Sequence, residues 1–126
     1  MTDKSPGFIV AVVDDDQRIL DSLESLLESA DYAVRPFASG TALLDSDCLA
    51  DIDCLISDMD LPGIDGFELL RIVRGARPEL PIIFITGHPE MQNRLVMISP
   101  GNCRLFNKPF DGHALLAAVS DTVQNS

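Results

Sequence analysis

Apolar and polar positions alternate along the chain in blocks that predict five strands, each followed by a helix. Short apolar runs mark the strands, at residues 8–13, 32–37, 54–57, 81–85 and 103–107. The first run is continuous and β-branched, which is typical of a strand covered on both faces. The second run contains Arg35 and Pro36, which favours a position at the edge of a sheet.

Between these runs, apolar residues recur every three or four positions, as on one face of a helix. Helices are predicted in five places: from Asp16 to about residue 30, at 39–46, after Asp65, at 88–98 and after Asp111. Asp15 or Asp16 can cap the first helix. Strands that alternate with helices form a parallel sheet covered on both faces, because crossovers between parallel strands are right-handed. The sequence therefore predicts a doubly wound α/β fold with five strands and five helices.

Length and charge limit the classes of function. The 126 residues suit one domain spanning 1–126, with a core from about 7 to 123. Lys and Arg number 9 against 20 Asp and Glu, a net charge of −11. This balance argues against direct binding of nucleic acid or an anionic membrane by the segment, and it permits a cation site.

Neither membrane insertion nor cysteine chemistry is indicated. The apolar run at 8–13 is far shorter than the roughly 20 residues of a spanning helix, so we expect a cytoplasmic protein. Three cysteines without a Cys-x-x-Cys pair suggest neither zinc nor a disulfide framework. Cys54 and Cys103 lie in hydrophobic runs, where small buried side chains are expected.

Polar residues with complementary chemistry follow four of the predicted strands. They are Asp14, Asp15 and Asp16 after the first, Asp58 after the third, Thr86 after the fourth and Lys108 after the fifth. In parallel sheets, ligands bind beyond the carboxyl ends of the strands. Taken singly, each residue has an ordinary explanation, and Asp16 suits a helix cap, but their joint placement indicates a site.

These side chains suit a phosphoryl group. Crowded carboxylates repel one another and need a compensating cation, for which oxygen ligands favour Mg²⁺. Lys108 adds a second positive charge, Thr86 offers a hydroxyl to orient an oxygen atom, and a carboxylate can attack phosphorus.

Four segments carry a family resemblance: Val-Val-Asp-Asp-Asp at 12–16, Leu-Ile-Ser-Asp-Met-Asp-Leu-Pro-Gly-Ile-Asp-Gly at 55–66, Phe-Ile-Thr-Gly at 84–87 and Lys-Pro-Phe at 108–110. In this order and spacing, they resemble the receiver domains of bacterial two-component response regulators. The resemblance implies a flavodoxin-like fold with strand order 2-1-3-4-5. It also implies a phosphorylation-controlled signalling switch that assists its own phosphotransfer and dephosphorylation, and not an enzyme with turnover.

The resemblance assigns chemical roles to three side chains. Asp58 matches the residue that accepts a phosphoryl group from a phosphohistidine, on a sensor histidine kinase or phosphotransfer protein, or from a small phosphodonor. Thr86 matches the hydroxyl that moves toward the phosphoryl group. Lys108 matches the lysine that pairs with it, and its bond to Pro109 is expected to be cis.

The resemblance also implies a Mg²⁺ or Mn²⁺ site. Asp15 matches the direct ligand, and Asp14 matches the residue that acts through water. Asp58 completes the carboxylates, and Asp60 matches the position whose backbone carbonyl binds the ion.

Departures from the family pattern concern regulation. Relatives often carry an aromatic residue where this chain has Leu105, so the resemblance does not extend to an aromatic movement coupled to Thr86. Asp60 and His88 match positions that border the phosphoryl group, and we expect them to tune the rate of its hydrolysis.

One turn of the sequence suggests which kind of output region the receiver controls. The Thr-Gly-His turn at 86–88 and its spacing to Lys108 resemble receivers that precede a LuxR-type helix-turn-helix output, which these 126 residues do not contain. The resemblance allows a phosphorylation-induced homodimer through the last two strands and helices.

Two other readings of the motifs remain. A strand followed by Asp-x-Asp also opens haloacid-dehalogenase-type phosphatases, in which Asp58 would be the nucleophile and Asp60 the acid. Their acidic metal pair comes late in the chain, whereas Asp14 and Asp15 come early. A flavin module of similar fold is the second alternative, but three aspartates after the first strand would repel its phosphate.

Overall fold

The structure is a computed structural model that describes residues 8–88, 90 and 103–124, with only the backbone described at 123 and 124. Its strands are β1 (Ile9–Val13), β2 (Ala33–Phe37), β3 (Cys54–Asp58), β4 (Ile82–Thr86) and β5 (Cys103–Asn107). They form one parallel sheet in the order β2-β1-β3-β4-β5, so the predicted strands and their order are confirmed.

The described residues contain four α-helices and one short 3₁₀ helix. The α-helices are α1 (Gln17–Glu28), α2 (Gly40–Asp45), α3 (Gly66–Ala76) and α4 (Gly112–Gln124), and the 3₁₀ helix spans Cys48–Ala50. The helix predicted at 88–98 falls almost wholly outside the described residues. The 3₁₀ helix was not predicted.

Side-chain caps explain where three of the helices begin. Asp16 accepts a hydrogen bond from the Arg18 N–H at α1, and Asp65 accepts one from the Glu68 N–H at α3. The Asp111 carboxylate likewise accepts from the N–H of His113 in α4. Each carboxylate satisfies a backbone donor that has no partner within its helix, which fixes the first turn.

Burial follows the sheet order. Every residue of β3 and β4 is buried, as expected for interior strands covered on both faces. In β2, Arg35 and Pro36 are exposed, and β2 lies at the sheet edge, where a proline without an N–H is tolerated. The interior strands β3 and β4 are therefore buried along their whole length, whereas the edge strand β2 is partly exposed.

Alternate residues of each strand enter two cores on opposite faces. One core joins β-strand residues such as Leu55 and Phe84 to α2 and α3. The other joins residues such as Val12 and Ile56 to α1 and α4. This alternation follows from the two-residue period of side chains along a strand.

Gly66 allows the loop after β3 to pack against α3. A Cβ at this position would lie 2.8 Å from the Met59 Cα and 3.0 Å from the Met59 carbonyl oxygen. These are backbone atoms, so a larger residue must shift the chain between Asp58 and Asp60.

We expect Gly66→Ala to lower the free energy of unfolding by about 1–3 kcal/mol, because the added methyl group overlaps the backbone. Gly75→Ala is the matched control, since a Cβ there meets nothing within 4 Å. The control should be neutral or stabilising by up to about 1 kcal/mol, because alanine favours helix over glycine. Urea unfolding measures both, and equal stability of the two variants would contradict this packing role.

The three cysteines are free. Burial raises the pKa of the Cys54 thiol to about 12 and that of Cys103 to about 11. Cys54 is fully buried, as the sequence predicts, whereas Cys103 and Cys48 are half-buried.

We expect iodoacetamide at pH 8 to modify Cys48 first in the folded protein. Cys103 should react at least about tenfold more slowly, because little of it is thiolate, and Cys54 should react only after unfolding. Peptide mass spectrometry resolves the three sites, and in urea the difference should disappear. Rapid modification of Cys54 in the folded protein would contradict its burial.

Candidate functional site

The carboxyl ends of four neighbouring strands bring the predicted site residues to one edge of the sheet. Asp14 follows β1, Asp58 ends β3, Thr86 ends β4 and Lys108 follows β5. Because the strands are parallel, these ends lie on the same side of the sheet.

Backbone hydrogen bonds continue the strand pairing past the last regular residues. The N–H of Met59 donates to the carbonyl of Ile85 at 2.8 Å, and the N–H of Lys108 donates to the carbonyl of Thr86 at 2.7 Å. The Asp14 N–H bonds the Phe37 carbonyl at 3.1 Å. The side chains of the site therefore start from backbone that is fixed by its neighbours.

Two of the carboxylates are almost fully buried. Asp14 is 1% exposed and Asp58 is 4% exposed, while Asp15 is exposed. Carboxylate oxygens of all three lie within 4.8 Å of one another. The predicted gathering of the early acids around Asp58 is thus present in the structure.

Each buried carboxylate also accepts a hydrogen bond from the loop that follows it. Asp14 Oδ1 accepts from the N–H of Asp16 at 2.9 Å, and Asp58 Oδ1 accepts from the N–H of Asp60 at 3.0 Å. Burial raises the pKa of Asp14, and the charge on Asp58 raises it further, although the Asp16 N–H and Lys108 oppose this. Burial of the ionised Asp14 carboxylate therefore lowers the stability of the folded state.

Lys108 lies between the two buried acids. Its Nζ is 3.2 Å from Asp58 Oδ2 and 3.8 Å from Asp14 Oδ2. Burial alone lowers the pKa of Lys108, but the hydrogen bond and charge of Asp58 outweigh it, so the pKa is raised. The ammonium stays charged at neutral pH and offsets part of the negative charge.

Thr86 and Asp60 are joined by a hydrogen bond that the sequence did not predict. The Thr86 hydroxyl donates to Asp60 Oδ2 at 3.1 Å and accepts the N–H of His88 at 3.0 Å. The His88 ring lies 4.0 Å from the other carboxylate oxygen of Asp60 and is mostly exposed, as expected for a surface loop. No sequence signal links positions 60 and 86, because the contact needs the finished loops.

The donor set fits a hard divalent cation. Mg²⁺ binds oxygen at about 2.0–2.1 Å and keeps several waters, so it needs only one or two carboxylates at direct distance. Asp14, Asp15 and Asp58 offer this number of carboxylates, with oxygens that lie within 4.8 Å of one another. Asp60 lies beside them through its N–H bond to Asp58.

The cis bond expected between Lys108 and Pro109 is present.

Among the residues that the structure describes, every helix is too short or too polar to span a lipid bilayer.

Comparison with known proteins agrees with the geometry. Residues 10–120 match the family model described as the response regulator receiver domain. The chain is 35% identical over 117 residues to the transcriptional regulatory protein FixJ of Azorhizobium caulinodans, covering 93% of this chain and 56% of that protein. It is 32% identical to the DNA-binding transcriptional regulator NtrC of Klebsiella pneumoniae, again over 93% of this chain but only 25% of that protein.

A solved structure shows the same fold. The response regulator receiver domain protein from Clostridium thermocellum superposes with a TM-score of 0.82 at 26% identity, covering 94% of this chain and 95% of the other. The chain spans about half the length of FixJ.

We expect Asp14→Asn to raise the free energy of unfolding in EDTA by about 1 kcal/mol, because it removes a buried charge next to Asp58. Asp21→Asn, on the exposed face of α1, is the control and should change stability by less than about 0.5 kcal/mol.

Adding Mg²⁺ should stabilise the parent more than Asp14→Asn, because the amide is a weaker ligand for a hard cation. Urea unfolding followed by circular dichroism measures each pair with and without the ion. If the variant is less stable than the parent in EDTA, the charge repulsion argument is wrong.

Proposed function

The chain belongs to the family of response regulator receiver domains, which act as phosphorylation-controlled signalling switches, and we propose that Asp58 is the residue that accepts the phosphoryl group. One observation carries the assignment: Asp58 is buried at a strand end, with Lys108 at 3.2 Å and oxygens of Asp14 and Asp15 within 4.8 Å. It is the carboxylate on which the surrounding groups converge.

The phosphodonor is a phosphohistidine on a sensor histidine kinase or phosphotransfer protein, or a small acyl phosphate. An oxygen of Asp58 forms a bond to phosphorus. With phosphohistidine, the bond from phosphorus to the donor nitrogen breaks and that nitrogen takes up a proton from solvent; with an acyl phosphate, the bond from phosphorus to the acyl oxygen breaks and a carboxylate leaves. The electron pair of the broken bond leaves with the imidazole or with the carboxylate. The same site then assists hydrolysis, as a switch that resets itself.

Asp14, Asp15, Asp58 and the backbone carbonyl of Asp60 would hold Mg²⁺ or Mn²⁺. When bound, the ion supplies positive charge that neutralises the phosphoryl oxygens. Asp58 presents its carboxylate from a rigid strand end, and the N–H of Asp60 orients it at 3.0 Å.

Lys108 and Thr86 respond to the new group. Phosphorylation turns the Asp58 carboxylate into a mixed anhydride, so the Lys108 ammonium exchanges its contact with the Asp58 carboxylate for a phosphoryl oxygen and keeps Asp14 nearby. The Thr86 hydroxyl can donate its proton to another phosphoryl oxygen. These two contacts couple the chemistry to the ends of β4 and β5.

The names of two relatives suggest what the switch controls. FixJ and NtrC are both named as transcriptional regulators, and the chain covers very different shares of them, 56% and 25%. We favour a LuxR-type helix-turn-helix output next to a single receiver domain at 1–126, acting in the cytoplasm. A net charge of −11 argues against DNA binding by this segment and supports an output in other residues. A phosphorylation-induced homodimer would transmit the signal.

The phosphatase alternative gains no support from the matched family, and the acidic pair Asp14 and Asp15 precedes Asp58 as in receivers.

We expect acetyl phosphate with Mg²⁺ to add one phosphoryl group to the protein, and Asp58→Asn to abolish this, because an amide is not a nucleophile for phosphorus. Intact-mass spectrometry measures the addition, and chromatographic size tests dimer formation. EDTA should prevent the reaction.

Asp51→Asn is the matched control. Asp51 is exposed and precedes β3 at the opposite end from Asp58, so its variant should be phosphorylated like the parent. Phosphorylation that persists in Asp58→Asn, or continuous turnover of the phosphodonor without a stable adduct in the parent, would overturn the assignment.

A further inference from the structure

The single proton of the Thr86 hydroxyl is already used in a hydrogen bond within the protein. Thr86 is 0% exposed, and its hydroxyl donates to Asp60 Oδ2 at 3.1 Å while accepting the N–H of His88 at 3.0 Å. A hydroxyl has one proton to donate. Thr86 therefore cannot donate to a phosphoryl oxygen while it donates to Asp60.

We propose that Asp60 is a positioning residue whose carboxylate binds the Thr86 hydroxyl, so that a phosphoryl group on Asp58 must compete with Asp60 for this proton. The proposal rests on the function proposed above for Asp58 and Thr86. It assigns to the Asp60 side chain a task separate from that of its backbone carbonyl.

Asp60 is well placed for this competition. Its backbone is fixed by the N–H bond to Asp58 Oδ1 at 3.0 Å, and the preceding Met59 N–H is fixed on Ile85 at 2.8 Å. The carboxylate is 34% exposed, so water weakens its bond to Thr86 without removing it. A phosphoryl group carries more charge and three acceptor oxygens, so it can take the proton from Asp60.

The aliphatic side chain of Leu105 on the neighbouring strand β5 cannot perform the same task, and the β5 residue in register with Thr86 is Asn107. Leu105 of β5 pairs in register with Phe84 of β4 and packs against the same core. An aliphatic side chain there neither accepts nor donates a hydrogen bond. Control of Thr86 by Asp60 needs only the exchange of the hydrogen bond to Asp60 for one to a phosphoryl oxygen.

Beryllium fluoride with Mg²⁺ tests the competition, because it binds an aspartate carboxylate as a tetrahedral mimic of the phosphoryl group. Isothermal titration calorimetry measures its affinity for the parent, Asp60→Asn, Thr86→Val and the double variant. We expect Asp60→Asn to tighten binding about tenfold when Thr86 is present, because the amide is a weaker acceptor for the hydroxyl.

The double variant separates this effect from simple charge repulsion. If Asp60 acts through the hydroxyl, Asp60→Asn should tighten binding by less than about threefold in the Thr86→Val background. An equal factor in both backgrounds would overturn the proposal. Glu90→Gln removes an exposed charge beside His88 and should leave affinity unchanged. Thr86→Ala replaces Thr86→Val if the valine variant does not fold.

A second measurement needs no phosphoryl mimic. The His88 N–H is bonded to the Thr86 hydroxyl, so releasing Thr86 should speed hydrogen exchange of that amide about threefold or more in Asp60→Asn. Unchanged exchange would contradict the proposal. If the parent binds no beryllium fluoride, the proposed function fails, and the exchange rate alone decides the role of Asp60.

Discussion

The arrangement of this protein depends on two carboxylates that are buried side by side with one ammonium group between them. Asp14 and Asp58 are 1% and 4% exposed, and Lys108 reaches both, at 3.8 and 3.2 Å. Burial of like charges opposes folding, and Lys108 offsets only part of it. The remaining negative charge favours a bound cation, so the feature that weakens the fold also makes this cluster the candidate cation site.

The sheet is built to tolerate this cost. β3 and β4, which end in Asp58 and Thr86, are buried along their whole length, with helices on both faces. Hydrophobic burial in these strands stabilises the fold enough to hold polar groups at their tips. The backbone N–H groups of Asp16 and Asp60 then donate hydrogen bonds to the carboxylates of Asp14 and Asp58. A change in charge at Asp58 therefore alters the hydrogen bond that its carboxylate accepts from the loop after β3.

The sequence predicts the fold and the membership of the site because both depend on local patterns. Apolar runs locate strands, three-to-four-residue periods locate helices, and parallel strands bring Asp14, Asp58 and Lys108 to one edge. The strand order came from the family resemblance and not from periodicity. The 3₁₀ helix at Cys48–Ala50 and the Thr86–Asp60 bond could not be predicted. The first is tied to Arg77, which donates to the Leu49 carbonyl at 2.8 Å, and the second joins residues 26 positions apart. Such contacts exist only after the chain has folded.

A molecular switch needs two arrangements that differ little in free energy, so that one small group can change their populations. Moving the Thr86 hydroxyl from Asp60 to a phosphoryl oxygen would exchange one charge-assisted hydrogen bond for another of the same kind. The strong electrostatic interactions of the carboxylates and Lys108 would then hold the phosphoryl group in position. The smaller difference between two acceptors would decide whether the ends of β4 and its loop respond.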